Sequence, residues 1–295
     1  MRNKTDLHSG AIHTDARFSR PTLDFGKLAP DSNWTFSEEA FAKVRSATMR
    51  LHPDTHTTKL LLGKLPNQTV GEFGHYNTCA VVANSGILLG STCGGEIDSK
   101  DYVIRMDLPL IRGFEQDVGS RTNMTLLNSS TPKRIKQSSH LKDRSQDVYE
   151  NRLRNIEGTV LVGGMRSKSA IRTVVQLYKL SFLLLTTRKS QKSGLNKLAT
   201  KLGNKKFGGN PTLGLVTVLM MTTFCDHPYL YGFFPFQKDA KNTSIPYHYY
   251  PGDYIKPTIQ NEGGHHHMAR EYDFFRGLHK QGVLKMQVGP CMKRR

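Results

Sequence analysis

Two histidines lie in sequence contexts that could support acid–base chemistry. His266 precedes an amphipathic stretch that we expect to form a helix beginning near Met268. A histidine at a helix N-terminus lies at the positive end of the backbone dipole, which favours the neutral imidazole that can accept a proton. His248 is flanked by tyrosines, where an imidazole is either a structural group or a second catalytic candidate.

His266 is also the middle of three adjacent histidines, His265 to His267, which raises the question of a metal site. Neighbouring side chains of an extended segment point to opposite sides, so three consecutive residues rarely converge on one ion. One functional histidine is the more economical interpretation.

Four cysteines constrain the fold, at positions 79, 93, 225 and 291. No CxxC pair occurs, which argues against zinc-ribbon and thioredoxin-like sites. Two disulfides are favoured over four buried thiols, and the count alone allows three connectivities. Asn-x-Ser/Thr sequons are frequent and favour a lumenal protein; they begin at Asn3, Asn33, Asn67, Asn123, Asn128 and Asn242.

The elements that must position these groups follow the pattern of an α/β protein. Short apolar runs separated by turns occupy residues 76–130, and "NIEGTVLVGG" adds a buried strand that ends in a glycine turn. "YLYGFFPF", residues 229–236, is strand-like, and the final helix is expected to stop at Gly282. Residues 1–70 are polar without a sustained period, which predicts a stem or loosely ordered region.

The charge balance favours an anionic partner. Among 295 residues, 42 Lys and Arg against 24 Asp and Glu give a formal net charge of +18. Between Arg166 and Lys206 there are basic residues but no Asp or Glu, which is typical of a solvated helix face or of a track for a polyanion. A nucleic-acid-binding protein is one class that this charge allows, although no recognition module is visible. The chain shows neither a signal peptide nor a membrane-spanning apolar run; its longest apolar run, from Leu213 to Phe224, is helix-like and interrupted by threonines.

Four segments resemble the motifs of the animal sialyltransferases in order and spacing. Residues 79–130 are similar to the large motif, residues 210–236 to the small motif, "HYYP" at 248–251 to the third motif, and "HHMARE" at 266–271 to the very small motif. Together they cover most of residues 76–295. The segments "YGFFPF", "YHYY" and "LHKQGVLKMQVGPC" resemble in particular the α2,8-sialyltransferases, which extend glycans that already end in sialic acid.

This resemblance implies a single catalytic domain over residues 71–295, with a variant Rossmann-like (GT-A-like) α/β fold in which helices flank a mostly parallel sheet. It implies disulfides Cys79–Cys225 and Cys93–Cys291. The family transfers sialic acid from CMP-sialic acid with inversion and without a cofactor. The absence of an Asp-x-Asp motif agrees with a metal-independent reaction.

The resemblance also implies the protein's partners and location. The acceptor would be a sialylated glycoprotein or glycolipid, and nucleic acid would not be a partner. The family's catalytic domains face the Golgi lumen and are held by an N-terminal membrane anchor, which is not visible in this chain. A homodimer is a possible assembly.

Roles for individual residues follow from the same resemblance. His266 would be the general base, and His248 would face the departing phosphate. The expected contacts of CMP-sialic acid are Asn84, Ser85, Gly86, Asp107, Thr212, Leu213, Gly214, Phe234, Tyr247 and His248. Ala83, Asp107 and Leu213 depart from the family pattern, and a carboxylate at 107 would repel an anionic donor. A catalytically silent, lectin-like homologue is therefore the alternative.

Overall fold

A single eight-stranded sheet organises the chain in the computed structural model, which describes residues 34–64, 73–187, 194–203, 207, 209–251 and 266–291. The strands are β1 Thr57–Leu62, β2 Tyr76–Val82, β3 Tyr102–Met106, β4 Met124–Leu126, β5 Val160–Gly164, β6 Phe182–Thr187, β7 Cys225–Tyr231 and β8 Lys285–Gln287. Their order across the sheet is β1-β6-β5-β4-β3-β2-β7-β8. All neighbours are parallel except β1, which pairs antiparallel with β6 at one edge.

Helices connect and flank these strands. They are α1 Glu38–Thr48, α2 Pro53–His56, α3 Gly94–Asp98, α4 Glu115–Val118, α5 Thr131–Ser138, α6 Val148–Arg154, α7 Lys168–Leu177, α8 Leu195–Gly203, α9 Leu213–Met221 and α10 Met268–Lys280. The predicted fold class, a mostly parallel α/β sheet flanked by helices, is confirmed. No helix of the described ranges is long and apolar enough to cross a membrane.

The order of the strands reverses between β2 and β7. From β2 the chain builds outwards on one side through β3, β4, β5 and β6, and it then returns to place β7 on the other side of β2. In open α/β sheets, ligands bind beyond the carboxyl ends of the strands at such a switch point. The turn that begins at Asn84 follows β2 and lies at this position.

The N-terminal boundary of the folded domain differs from the sequence-based prediction. Within the predicted stem, α1 buries Phe41 and Val44 in the main core, and β1 forms an edge of the sheet. Helix α1 has few apolar side chains among its polar ones. The composition of this segment therefore did not predict that it packs in the core. Of the predicted stem, residues 1–33 and 65–70 lie outside the described residues.

Two helices that border the switch point agree with their predicted positions. In α9 every residue from Gly214 to Met221 is buried, as expected for an apolar run whose only polar side chain is that of Thr217. The last helix, α10, begins at Met268 as predicted, and the chain leaves it at Gly282 with a φ of 73°. A Cβ at Gly282 would lie 2.6 Å from the carbonyl oxygen of Thr35, so only glycine fits this stop.

Two other sequence-based predictions need correction. The strand predicted over "YLYGFFPF" ends at Tyr231, because Gly232 has a φ of 74° and turns the chain out of the sheet. The basic segment from Arg166 to Lys206 includes strand β6 as well as helices α7 and α8. Its cations Arg172, Lys197 and Lys201 lie on exposed faces of these helices, as the solvated-face interpretation predicts. Binding of a polyanion along this segment stays a prediction.

Both expected disulfides are present. Cys79–Cys225 joins the adjacent strands β2 and β7 with a Cα–Cα distance of 6.1 Å. Cys93–Cys291 joins the segment after the Asn84 turn to the C-terminal tail with a Cα–Cα distance of 4.9 Å. They span 146 and 198 residues, so each contributes roughly 5 kcal/mol in the chain-entropy model.

Candidate active site

A cavity of about 1020 Å³ opens at the carboxyl ends of the parallel strands. Its floor consists of the residues that follow β2, β3, β4, β5 and β7, and its walls are the N-termini of α9 and α10 and the segment 247–248. The size suits a ligand of nucleotide-sugar dimensions. Its lining includes all but one of the predicted site residues: Asn84, Ser85, Asp107, Thr212, Leu213, Gly214, Phe234, Tyr247, His248 and His266.

Gly86 is the exception, because it is buried and does not line the cavity. Its N–H donates to the carbonyl oxygen of Pro246 at 3.0 Å, and a Cβ would lie 2.4 Å from that oxygen. The missing side chain therefore allows a close approach of the protein's own backbone beneath the cavity. The sequence-based prediction had instead named Gly86 as a contact of CMP-sialic acid.

His266 lies two residues before α10 and faces the cavity. Its Nδ1 lies 2.7 Å from the carbonyl oxygen of Asn210. A carbonyl oxygen only accepts, so Nδ1 carries the proton in this hydrogen bond, and the lone pair of a neutral ring resides on Nε2. In this tautomer Nε2 is the ring nitrogen that can accept a proton. His265, its neighbour in the histidine run, lies outside the described residues.

Glu271 joins the two helix N-termini that flank the cavity. This carboxylate is 4% exposed, and it accepts a hydrogen bond from the Thr212 N–H at 2.7 Å and another from the Thr212 hydroxyl. Thr212 is the N-cap of α9, where its Oγ1 accepts from the N–H of Leu215 at 3.2 Å. The acidic end of "HHMARE" therefore sets the spacing between His266 and the start of α9.

His248 belongs to a cluster of aromatic rings. Its ring centroid lies 4.6 Å from that of Tyr247 and 5.2 Å from that of Tyr250, with interplanar angles of 32° and 24°. Beyond Tyr250 lies the guanidinium of Arg152, 5.0 Å from the ring centroid. Burial raises the pKa of Tyr247, so this phenol remains a hydrogen-bond donor across the neutral pH range. The rings hold the imidazole at the cavity wall.

Phe234 lines the cavity three residues after the end of β7. It is 4% exposed and packs edge-on against Tyr272 of α10, with ring centroids 5.7 Å apart. Gly232, two residues earlier, lies against the turn that begins at Asn84, because a Cβ there would be 2.6 Å from the carbonyl oxygen of Ala83. Only glycine allows β7 and the turn to approach so closely.

Several lining residues were not selected from the sequence. Glu271 and Gly232 belong to the quoted motifs, so a motif-by-motif assignment could have found them. Arg166 was visible only as part of the basic segment. Met106, Asn128 and Ser129 also lie within the segment that resembles the large motif, whereas Met165, Tyr272 and Phe275 lie outside the quoted segments.

Comparison with known proteins supports the motif resemblance. Residues 29–283 match the family model described as glycosyltransferase family 29 (sialyltransferase). Alpha-2,8-sialyltransferase 8F of Mus musculus is 34% identical over 224 residues, which are 73% of this chain and 54% of the mouse protein. The Pan troglodytes protein of the same name is 33% identical over 227 residues, with the same coverage. The chain thus spans about half the length of the curated relatives it matches.

Two solved structures are also similar to this chain. One, a mammalian sialyltransferase, gives a TM-score of 0.46 at 18% identity, covering 89% of this chain and 83% of that chain. The other, a mammalian sialyltransferase in complex with Gal-beta-1-3GalNAc-ortho-nitrophenol, gives 0.47 at 19% identity, covering 92% and 91%.

The match to the family model covers most of the chain, including the cavity that contains both candidate histidines. The relatives from mouse and chimpanzee each align with 73% of it. The chain therefore belongs to glycosyltransferase family 29, the sialyltransferases.

Proposed function

We propose that this protein transfers sialic acid from CMP-sialic acid to a hydroxyl of a glycan that already ends in sialic acid, forming an α2,8 linkage with inversion. The observation that carries the proposal is the tautomer of His266, whose Nδ1–H donates to Asn210 while the ring faces the cavity. The names of the two curated relatives support the linkage.

The reaction consists of one displacement. The acceptor hydroxyl oxygen bonds to the anomeric carbon, the bond from that carbon to the phosphate oxygen breaks, and CMP departs with the electron pair. His266 Nε2 takes the hydroxyl proton. Negative charge grows on the phosphate, which in this proposal lies near His248 and the N–H groups at the start of α9. CMP carries less charge than a nucleoside diphosphate, so the proposal includes no metal.

The nucleotide is proposed to occupy the switch-point side of the cavity. Asn84 and Ser85 follow β2, Thr212 to Gly214 begin α9, and Phe234 and Tyr247 complete this region. The acceptor would then approach His266 from the cavity mouth. We further propose that the full-length protein acts in the Golgi lumen on sialylated glycoproteins or glycolipids.

The direct test incubates the purified protein with CMP-sialic acid and matched glycans with and without a terminal sialic acid. Mass spectrometry of the products is expected to show one added sialic acid on the sialylated glycan alone, and NMR of that product an α2,8 linkage. Transfer to the unsialylated glycan alone would exclude the proposed acceptor. Absence of both transfer and donor hydrolysis would favour the silent homologue, and calorimetry with CMP would show whether the nucleotide site persists.

A further inference from the structure

Asp107 places a carboxylate inside the cavity beside the proposed nucleotide turn. It directly follows β3 in the left-handed conformation, with a φ of 62°, and it lines the cavity. The side-chain amide of Asn84 donates to the carbonyl oxygen of Met106, the preceding residue, at 2.9 Å. A carboxylate at this position faces the region where an anionic ligand must bind, and like charges a few ångströms apart repel.

Arg134 lies against this carboxylate. From the first turn of α5, its NH2 group donates to Asp107 Oδ2 at 3.1 Å and to Thr131 Oγ1 at 2.8 Å. Thr131 is completely buried, so it gives the guanidinium a fixed support. The side chains of Arg134 and Asp107 are 29% and 18% exposed, so solvent screens their attraction only in part.

We propose that Arg134 is a positioning residue that cancels the charge of Asp107 and thereby allows the cavity to accept the phosphate of the donor. This inference rests on the proposed function, because it concerns the same nucleotide site. Loss of Arg134 would remove the guanidinium that pairs with this carboxylate. With it, the Asp107–Arg134 pair contributes no net charge, and Asp107 is oriented towards α5.

A purely structural role for the pair makes different predictions. The ion pair also joins α5 to the end of β3, so its loss could disturb the cavity through the backbone. Such a disturbance would affect charged and uncharged ligands alike, and removal of the second charge would not reverse it. An electrostatic role affects charged ligands alone and is reversed when the carboxylate is also neutralised.

Four proteins test this: the parent, Arg134→Gln, Asp107→Asn and the double variant. Asparagine tolerates the left-handed region as aspartate does, so Asp107→Asn removes charge without backbone strain. Calorimetry measures CMP affinity, and competition measures the affinity for cytidine, which lacks the phosphate. Arg154→Gln is the matched control, because Arg154 pairs with Glu150 and does not line the cavity.

We expect Arg134→Gln to weaken CMP binding roughly tenfold, about 1.4 kcal/mol, and cytidine binding by less than about twofold. Asp107→Asn should tighten CMP binding about threefold or more, since the positive charge of Arg134 near the cavity is then no longer cancelled. The double variant should return to within about threefold of the parent. Arg154→Gln should leave both affinities unchanged.

The inference is overturned if the double variant binds CMP as poorly as Arg134→Gln, or if cytidine loses affinity as CMP does. It is equally overturned if Asp107→Asn weakens CMP binding, and this second readout applies even if Arg134→Gln fails to fold. A parent protein that binds no CMP at all would instead refute the proposed function. The two failures are therefore distinguishable.

Discussion

The Nδ1 atom of His266 lies 2.7 Å from the carbonyl oxygen of Asn210, a residue 56 positions away in the chain. This contact selects the tautomer in which Nε2 can accept a proton at the cavity. We therefore predict that His266→Ala lowers kcat for sialyl transfer by about 10²–10⁴-fold, the usual contribution of a general base. CMP affinity measured by calorimetry should stay within about twofold, since the imidazole is not proposed to contact the nucleotide.

His267 provides the matched control for that substitution. It is the N-cap position of α10, makes no capping hydrogen bond through its side chain and does not line the cavity. His267→Ala should therefore transfer sialic acid at close to the parental rate. Equal activity of His266→Ala and His267→Ala in the same assay would remove His266 from the reaction.

Glu271 should contribute to stability as well as to the shape of the site. Removing its carboxylate leaves the half-buried N–H and hydroxyl of Thr212 without this acceptor. We expect Glu271→Ala to lower the free energy of unfolding by about 2–3 kcal/mol in urea titrations under oxidising conditions. Glu271→Gln retains one carbonyl oxygen, so it should lose less than half as much. Equal losses in both variants would argue against the hydrogen bonds as the cause.

Tyr250 should influence catalysis through His248. The Tyr250 ring stacks on the imidazole of His248, and the guanidinium of Arg152 lies against the Tyr250 ring. Arg152 is itself held by a hydrogen bond that it donates to the carbonyl oxygen of Leu108 at 2.8 Å. Ring pairs of this kind contribute about 1 kcal/mol, and small displacements of catalytic groups are costly. Tyr250→Leu is expected to lower kcat about tenfold while the KM for the acceptor stays unchanged. Tyr250→Phe retains the ring and should restore the parental kcat; a loss in both variants would implicate the hydroxyl instead.

The raised pKa of the Tyr178 phenol predicts how the free energy of unfolding changes at alkaline pH. Burial, assisted by the hydrogen bond to Asp147, raises the pKa of this phenol to about 12 from an ordinary value of 10.0. The fold thus stabilises the protonated phenol, and that contribution is complete below pH 10 and is lost as the pH rises from 10 to 12. The difference in unfolding free energy between the parent and Tyr178→Phe should shrink over this interval. Urea titrations at pH 8 and 11.5 measure it, and a constant difference would exclude the linkage.

The local pattern of apolar residues was sufficient to predict much of the architecture. Continuous apolar runs predicted the buried central strands and α9, because strands covered on both faces and a fully buried helix lack a polar side. The start of α10 and its stop at Gly282 followed from capping rules. The α1 and β1 segments were missed, because their apolar side chains are bordered by polar residues; α1 becomes buried only against the assembled core, and β1 stays mostly half-buried at the edge of the sheet.

The sequence by itself therefore determined the residue types that can do chemistry, the family, and the positions of the central strands and of helices α9 and α10, since these depend on side chains close together in the chain. Only the tertiary structure decided which groups meet. Thr212 and Glu271 are 59 residues apart, and Asp107 and Arg134 are 27 apart. Their hydrogen bonds exist because strand order and helix packing bring distant backbone ends to one edge of the sheet, and no local pattern encodes that proximity.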